Sequence, residues 1–265
     1  MISLEDLFFS YHPDGPTVFR NLTLKIECKS WTVLTGPDGS GKTTLARLLM
    51  GLLRPDSGSL RLDSAGGDSF PTVGYLGGDP YDCLVGVSVE EDVVFGLENQ
   101  RLPPQEIRER LRQALAWTGL TGLEQRLVHT LSGGEQQKLA LASALAVGAR
   151  TIIIDEALSM MDRPARADIR EVLTGLRRDL GLSLIEMTHD FEDALTADRM
   201  IFLSGGEILF DGPPADFPRT ALGNEWISLV GGMSGLRTEM LGLGAACGHN
   251  SEGSVREVLC NYKVI

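Results

Sequence analysis

The segment Gly36-Pro37-Asp38-Gly39-Ser40-Gly41-Lys42-Thr43 decides the fold of this chain, because it fits the pattern Gly-x-x-x-x-Gly-Lys-Ser/Thr. It follows a short β-branched run, 31–35, which is typical of a buried strand. It precedes residues 44–50, which are mostly good helix formers and end at Gly51. This order of strand, glycine-rich turn and helix predicts a phosphate-binding loop. The alternative is a glycine-rich turn with a solvated lysine.

The chemistry of the loop comes from its backbone and from two side chains. Glycines let consecutive N–H groups curl around one anion, and the positive end of the following helix dipole points at the same place. Lys42 can reach the β- and γ-phosphates, and the hydroxyl of Thr43 can ligate Mg²⁺. We therefore expect the following residues to contact a nucleotide: Gly36, Pro37, Asp38, Gly39, Ser40, Gly41, Lys42, Thr43 and Thr44.

Composition bounds the class of protein. The chain has 265 residues, which is room for one large domain or two small ones, and a net charge of −12, which argues against a nucleic-acid partner. Its four cysteines have no CxxC or zinc spacing, which suits a reducing compartment. We expect no signal peptide, and no apolar run approaches the ~20 residues of a membrane helix. Any membrane span is expected in another subunit.

A second cluster of polar residues closes an apolar run. Residues 151–154 are Thr-Ile-Ile-Ile, followed by Asp155 and Glu156. A run that is apolar on both faces is typical of a central strand of a parallel sheet, and ligands bind at the carboxyl ends of such strands. Asp155 is thus predicted to hold Mg²⁺, and Glu156 to activate a water molecule for attack on the γ-phosphate. The alternative is a solvated strand end.

Three further positions have both a functional and a structural interpretation. Ser132-Gly133-Gly134-Glu135 opens a helix predicted over 136–147; it fits a capping box, and its glycines also permit a second anion site. His189 follows a short apolar strand, where it can contact the γ-phosphate or the attacking water, although a lone histidine is usually structural. Tyr11 ends the first strand and is either packed or a stacking platform for a purine.

Together these segments resemble the ATP-binding subunit of an ABC transporter. Residues 36–43 resemble the Walker A motif, and 152–156 resemble Walker B. Residues 131–135 resemble the family's signature sequence, 159–162 its D-loop and 188–190 its switch-histidine loop. Tyr11 takes the place of the adenine-stacking aromatic residue, and all the motifs lie in the family's order.

The resemblance implies an α/β fold with a P-loop, RecA-like core, an N-terminal antiparallel β part and an inserted α-helical subdomain at about 85–145. It implies an ABC ATPase domain over 1–215, while 216–265 forms an extension without family signals. It also implies ATP and Mg²⁺ at the site, with Lys42, Glu156 and His189 in catalysis. Two subunits would pack head to tail, each ATP lying between one Walker A loop and the partner's signature sequence.

A narrower resemblance is carried by residues 88–99, Ser-Val-Glu-Glu-Asp-Val-Val-Phe-Gly-Leu-Glu-Asn, with Leu102-Pro103 following. This segment is similar to its counterpart in energy-coupling-factor and cobalt/nickel importers. One departure stands out: Gly78, before Asp79-Pro80, occupies the position of the family's Q-loop glutamine, which helps ligate Mg²⁺ and contacts the membrane subunit. We expect hydrolysis to survive with altered metal affinity or coupling, and Asp79 or Asp82 as compensating residues.

The sequence therefore predicts an ATPase subunit at the cytoplasmic side of the membrane, powering import of a vitamin or transition-metal ion through a separate membrane subunit. Two alternatives stay open: a soluble ABC ATPase outside transport, and a degenerate cassette that binds ATP as a partner in a heterodimer. Residues 200–210 are predicted to form a hairpin around Gly205-Gly206.

Overall fold

A six-stranded sheet forms the centre of the protein. The computed structural model describes residues 1–62, 73–159, 161–224 and 226. The sheet has the order β5-β6-β7-β3-β8-β9, in which all neighbours are parallel except the last pair. Its strands are β3 (Trp31–Thr35), β5 (Val73–Gly77), β6 (Thr151–Asp155), β7 (Ser183–Met187), β8 (Arg199–Ser204) and β9 (Glu207–Gly212).

The central strands are buried on both faces, as their continuous apolar sequences predict. Every residue of β3 and β7 is buried, and so are the last four residues of β6. Because β5, β6, β7 and β3 are adjacent and parallel, their carboxyl ends meet along one edge of the sheet. The loops that leave these four ends carry the phosphate loop, the acidic pair, His189 and Gly78.

A smaller antiparallel sheet holds the N-terminal part of the chain. It has the order β2-β1-β4, with β1 at Ile2–Ser10, β2 at Thr17–Ile26 and β4 at Ser57–Leu62. Leucine, isoleucine and phenylalanine side chains of β1 and β2 join residues of β3, β6, β7 and β8 in one core. The N-terminal antiparallel β part predicted from the resemblance is confirmed.

Three helices between β5 and β6 share a core of their own. They are α2 (Val89–Asn99), α3 (Pro104–Thr118) and α4 (Gly133–Ala146), and their apolar side chains pack together around Val93, Leu115 and Leu139. Further helices are α1 (Lys42–Leu49), α5 (Arg163–Leu180) and α6 (Phe191–Ala194). This mixture of a P-loop core and helices confirms the predicted fold class, whereas the domain boundaries stay a prediction.

The chain beyond the β8–β9 hairpin continues to contribute to the core. Gly205 and Gly206 make the predicted hairpin turn with positive φ angles of 57° and 80°. A 3₁₀ helix at Pro214–Arg219 follows, and the rings of Phe217 and Trp226 both pack against Phe202 at centroid distances of 5.3 and 5.0 Å. Most of the predicted 216–265 extension lies outside the described residues. Among the described residues no helix is long and apolar enough to cross a membrane.

Candidate active site

The phosphate loop is held in one conformation by its glycines. Gly36 and Gly41 have φ angles of 144° and 107°. A Cβ atom on Gly36 would lie 1.9 Å from the carbonyl oxygen of Leu203, and one on Gly41 would lie 2.7 Å from the ring of Phe19. The loop is therefore wedged against β8 and β2, and α1 begins at Lys42, two residues earlier than predicted. Lys42 and Thr43 consequently belong to the first helical turn, whose N–H groups are free to bind an anion.

Lys42 is folded back into the loop. Its ammonium group donates to the carbonyl oxygens of Gly36 at 2.8 Å and Pro37 at 3.0 Å, and the residue is 7% exposed. Burial lowers the pKa of Lys42, while the carboxylates of Glu156, Asp38 and Asp155 oppose this shift. The Lys42 ammonium is therefore well placed to exchange its hydrogen bonds to the loop carbonyls for hydrogen bonds to a phosphate.

The side chains of Thr43 and Asp155 meet at the end of β6. The Thr43 hydroxyl is hydrogen-bonded to the Asp155 carboxylate, and the phenol of Tyr75 donates to Oδ2 of Asp155 at 3.3 Å. Burial raises the pKa of Asp155, and the hydrogen bonds from Thr43 and Tyr75 oppose the shift. Hydroxyl and carboxylate oxygens are the ligands that Mg²⁺ prefers, and it commonly keeps waters and phosphate oxygens besides. Thr43 and Asp155 therefore fit the metal.

A second observation inside the loop fits a nucleotide phosphate. The Ser40 hydroxyl is buried and has no hydrogen-bond partner among the described residues. A buried polar atom without a partner is costly, and such atoms are rare in folded proteins. A phosphate oxygen in the loop is the natural acceptor for this hydroxyl.

Glu156 and His189 form a pair across the ends of β6 and β7. Nδ1 of His189 lies 3.2 Å from Oε2 of Glu156. Their hydrogen bond lowers the pKa of Glu156 and raises the pKa of His189. Glu156 has a φ of 56°, a strained value for a residue with a side chain, and its N–H donates to the carbonyl oxygen of Met187 at 3.0 Å. The structure thus holds an ionised carboxylate in a fixed position beside the loop.

Tyr11 is partly exposed and tied to the helix behind the loop. Its hydroxyl lies 3.1 Å from Oγ1 of Thr44 and accepts from Arg47 at 3.4 Å, while 48% of the residue is exposed. Its ring packs edge-on against Phe9. An exposed aromatic face anchored beside the phosphate loop has the properties of a stacking platform for a base.

The signature segment forms the start of α4, and its Glu135 also pairs with Arg126 at 3.3 Å. Ser132 caps α4, accepting from the N–H of Glu135 and donating its own N–H to the Glu135 carboxylate at 2.8 Å, so the predicted capping box is present. Ser132 and Gly133 are exposed, Gly134 is half-buried, and a Cβ on Gly133 would meet nothing within 4 Å. α4 begins at Gly133, three residues before the predicted start. Ser132, Gly133 and Gly134 are thus accessible to a ligand held by another chain.

Two contacts near the site were not predicted from the sequence. Tyr75 reaches Asp155, and the buried amide of Gln137 donates to the carbonyl oxygen of Gly77 at 2.7 Å, so that α4 contacts the loop after β5. Neither residue lies in one of the recognised motifs, and no spacing pattern identifies them. A Cβ on Gly78 would be no closer than 3.8 Å to its nearest neighbour, the carbonyl oxygen of Glu156, so this position has room for a side chain.

These elements define the class of protein as a P-loop ATPase with an ABC-type arrangement. The profile of the ABC transporter family matches residues 19–159, and the chain belongs to this family. Its relatives include energy-coupling factor transporter ATP-binding proteins: EcfA1 of Ligilactobacillus salivarius is 37% identical over 81% of this chain and 78% of that protein. EcfA1 of Geobacillus kaustophilus is 35% identical over 86% and 84% of the two chains.

Solved structures agree with this assignment. The structure of cbiO1 from Clostridium perfringens, part of the ABC transporter complex cbiONQ, is 28% identical, has a TM-score of 0.75 and covers 89% of this chain and 97% of its own. The dimeric structure of MJ0796, a bacterial ABC transporter cassette, has a TM-score of 0.69 at 24% identity, covering 81% and 99%, and so supports the fold. The expected resemblance to the energy-coupling-factor group and the expected ATPase activity are confirmed.

Proposed function

We propose that this chain is the ATP-hydrolysing subunit of an energy-coupling-factor importer, and that it drives uptake of a vitamin or transition-metal ion through a separate membrane subunit. The observation that carries the proposal is the Glu156–His189 pair, 3.2 Å apart, beside the buried cation of Lys42. The names of the relatives, energy-coupling factor transporter ATP-binding proteins and a part of a cbiONQ complex, support the transport role.

The proposed mechanism assigns one task to each side chain. The loop N–H groups and Lys42 hold the β- and γ-phosphates, while Tyr11 stacks on adenine. Thr43 and Asp155 would hold Mg²⁺, which neutralises negative charge on the phosphates. Glu156 orients a water molecule and accepts its proton. His189 fixes the Glu156 carboxylate and supports the γ-phosphate.

A second ATP-binding subunit, identical or homologous, completes the proposed site. Ser132, Gly133 and Gly134 stand at the amino end of α4, where the helix dipole favours an anion; the Ser132 side chain takes part in the capping box, and Ser132 and Gly133 are exposed. In a head-to-tail pair this helix end would face the γ-phosphate bound by the partner subunit. The nucleotide site of one subunit is therefore complete only when the second subunit contributes the start of its α4.

Exposed apolar side chains between the end of β5 and the middle of α2 support docking to a membrane subunit. Four large apolar side chains in this region are more than half exposed: Tyr81 at 55%, Val85 at 64%, Val87 at 65% and Phe95 at 53%. Clusters of this kind mark interaction sites. Tyr81, the first of them, lies three residues after Gly78, so a partner bound here would contact the segment that leaves the site. We infer a peripheral position at the cytoplasmic face of the membrane, without a nucleic-acid partner.

The catalytic part of the proposal is tested by Mg²⁺-dependent ATP turnover of the purified chain across protein concentration. A self-pairing ATPase shows turnover that rises more than linearly with concentration. A chain that binds ATP but shows no turnover at any concentration, even with the membrane subunit added, would instead be a degenerate cassette. Gly78 at the Q-loop position favours this alternative.

The transport part is tested with Val87→Asp and a matched control, Leu52→Asp. Both side chains are apolar and exposed, Val87 at 65% and Leu52 at 69%. Leu52 follows α1 and is not part of the segment between β5 and α2. We expect the wild type and Leu52→Asp to co-purify with a polytopic membrane protein that stimulates turnover, and Val87→Asp to lose it while keeping basal ATPase activity. A wild-type chain that purifies from membranes and cytosol without such a protein would favour the soluble, non-transport ATPase.

A further inference from the structure

We propose that Tyr75 is a positioning residue for Mg²⁺: its hydroxyl holds the carboxylate of Asp155 in its metal-binding orientation, and so compensates for the missing glutamine at Gly78. The inference rests on the proposed role of Asp155 as a metal ligand. It differs from the sequence expectation, in which Asp79 or Asp82 compensates. Asp79 instead caps the 3₁₀ helix at Pro80–Cys83, where its side chain accepts from the N–H of Tyr81 at 2.9 Å.

The sheet register brings Tyr75 to Asp155. β5 and β6 are parallel neighbours in which Gly77 lies opposite Asp155 and Tyr75 opposite Ile153. Because side chains alternate along a strand, Tyr75 and Gly77 share one face of β5. The Tyr75 side chain therefore runs along the strand towards the position of Gly77, and its hydroxyl reaches Oδ2 of Asp155 at 3.3 Å.

Gly77 makes room for this arrangement. A Cβ atom at Gly77 would lie 3.0 Å from Cε1 of Tyr75 and 3.5 Å from its hydroxyl oxygen. A larger residue at position 77 would push the ring away from Asp155. The position of the Tyr75 hydroxyl thus depends on the absence of a side chain at position 77.

The hydrogen bond has a defined effect on the metal site. Asp155 is 7% exposed, and the donors recorded for its carboxylate are Thr43 and Tyr75. When Thr43 is a metal ligand, Tyr75 is the donor that remains to fix the carboxylate. Hydrogen-bond partners of metal ligands set their orientation, and their loss commonly costs about 10–100-fold in metal affinity.

The experiment measures binding of Mn²⁺, a paramagnetic substitute for Mg²⁺, by electron paramagnetic resonance in the presence of a non-hydrolysable ATP analogue. Tyr75→Phe removes only the hydroxyl, and we expect about tenfold weaker Mn²⁺ binding with unchanged affinity for the analogue in the absence of metal. Tyr81→Phe is the matched control, because its hydroxyl accepts from Gln136 and does not touch Asp155. It should bind Mn²⁺ as the wild type does.

Two further variants sharpen the test. Gly78→Gln in the Tyr75→Phe background places the family's glutamine where there is room for it, and should restore Mn²⁺ affinity. Gly77→Ala keeps the phenol but crowds its ring, so it should weaken Mn²⁺ binding even if Tyr75→Phe fails to fold. Wild-type affinity in both Tyr75→Phe and Gly77→Ala would overturn the inference.

Asp155→Asn separates this inference from the proposed function. If Asp155→Asn loses Mn²⁺ while Tyr75→Phe keeps wild-type affinity, the metal site stands and only the role of Tyr75 is wrong. If Asp155→Asn itself binds Mn²⁺ like the wild type, Asp155 is not a ligand and the proposed site is wrong as well, which overturns both.

Discussion

The imidazole of His189 and the carboxylate of Glu156 lie 3.2 Å apart at the ends of adjacent strands, with Glu156 in a left-handed backbone conformation at φ 56°. A side chain in this conformation costs roughly 1–3 kcal/mol, and such strain is concentrated at functional sites. The cost is offset here by the Glu156 N–H bond to Met187 and by the His189 hydrogen bond. The backbone turn aims the carboxylate at the region of Lys42, whose ammonium interacts with it electrostatically.

Replacing Glu156 by glutamine should separate binding from catalysis. Glutamine keeps the size of the side chain but cannot accept a proton, and a general base typically contributes about 10²–10⁴-fold to the rate. We expect Glu156→Gln to lose about this much Mg²⁺-dependent turnover while binding ATP as the wild type does. Glu171→Gln, on the exposed face of α5, is the control. Full turnover in Glu156→Gln would contradict the assignment of the base.

His189 should act through Glu156, and a double-mutant cycle shows whether it does. His189→Ala removes the hydrogen bond to Oε2 and should lower turnover by about 10²-fold, as the loss of one active-site donor commonly does. Residues that act as a unit are strongly non-additive. The Glu156→Gln/His189→Ala double variant should therefore be about as slow as Glu156→Gln alone. His12→Ala, an exposed histidine, serves as the control. Losses that multiply in the double variant would show that the two residues act independently.

The sequence predicted those parts of the site that local patterns determine. Apolar runs fixed β3 and β6, and glycine spacing indicated the loop between Gly36 and Gly41. The capping pattern at Ser132 and Glu135 was confirmed with both hydrogen bonds present. In each case the signal lies within a few residues, because the structure depends on backbone conformation and on neighbours along the chain.

The unpredicted parts depend on contacts between distant segments. Tyr75 reaches Asp155 across 80 positions of sequence, through a strand pairing that no local pattern encodes. The packing of Phe217 and Trp226 on Phe202 is equally long-range. The positive φ of Glu156 was missed because left-handed conformations are expected of glycine or asparagine. Sequence rules based on local preference therefore fail at Glu156, where the functional site holds a strained backbone.

The close contact at Gly36 predicts a large difference between two glycines of one loop. Gly36→Ala places a Cβ atom 1.9 Å from the Leu203 carbonyl oxygen, whereas Gly39→Ala, with φ 75°, meets nothing within 4 Å. Gly39→Ala should cost about 1 kcal/mol from backbone strain alone. Gly36→Ala should lower the unfolding free energy by about 2–4 kcal/mol, because β8 must move. Denaturant unfolding measures both, and equal losses would contradict the packing of the loop on β8.

A cluster of ionisable side chains lies between α5, α6 and β7, the strand that leads to His189. Glu186 on β7 is 1% exposed; it accepts from the indole of Trp31 at 2.9 Å and pairs with Arg170 at 2.6 Å. Arg170 also pairs with Asp193 at 3.0 Å, and Arg166 lies 3.6 Å from the same carboxylate. Burial raises the pKa of Glu186 to about 7, against the opposing effect of Arg170.

This shift makes stability depend on pH, with a sign that follows from proton binding. The unfolded chain releases the Glu186 proton near the ordinary value of 4.5, whereas the folded protein holds it to about 7. Between these values the folded state binds more protons, so the unfolding free energy falls as pH rises through this window. The loss is absent below the lower value and complete above the upper one.

Glu186→Gln should remove this loss of stability. Its amide oxygen still accepts from Trp31, and Arg170 keeps Asp193 as a partner. Since each pKa unit corresponds to about 1.4 kcal/mol, the wild type should lose about 2–3 kcal/mol more unfolding free energy than Glu186→Gln between about pH 5 and about pH 8. Urea unfolding at the two pH values measures the difference, and Glu171→Gln should follow the wild type. Parallel pH dependence in wild type and Glu186→Gln would mean that Glu186 is already ionised in the folded protein, held in that state by Arg170.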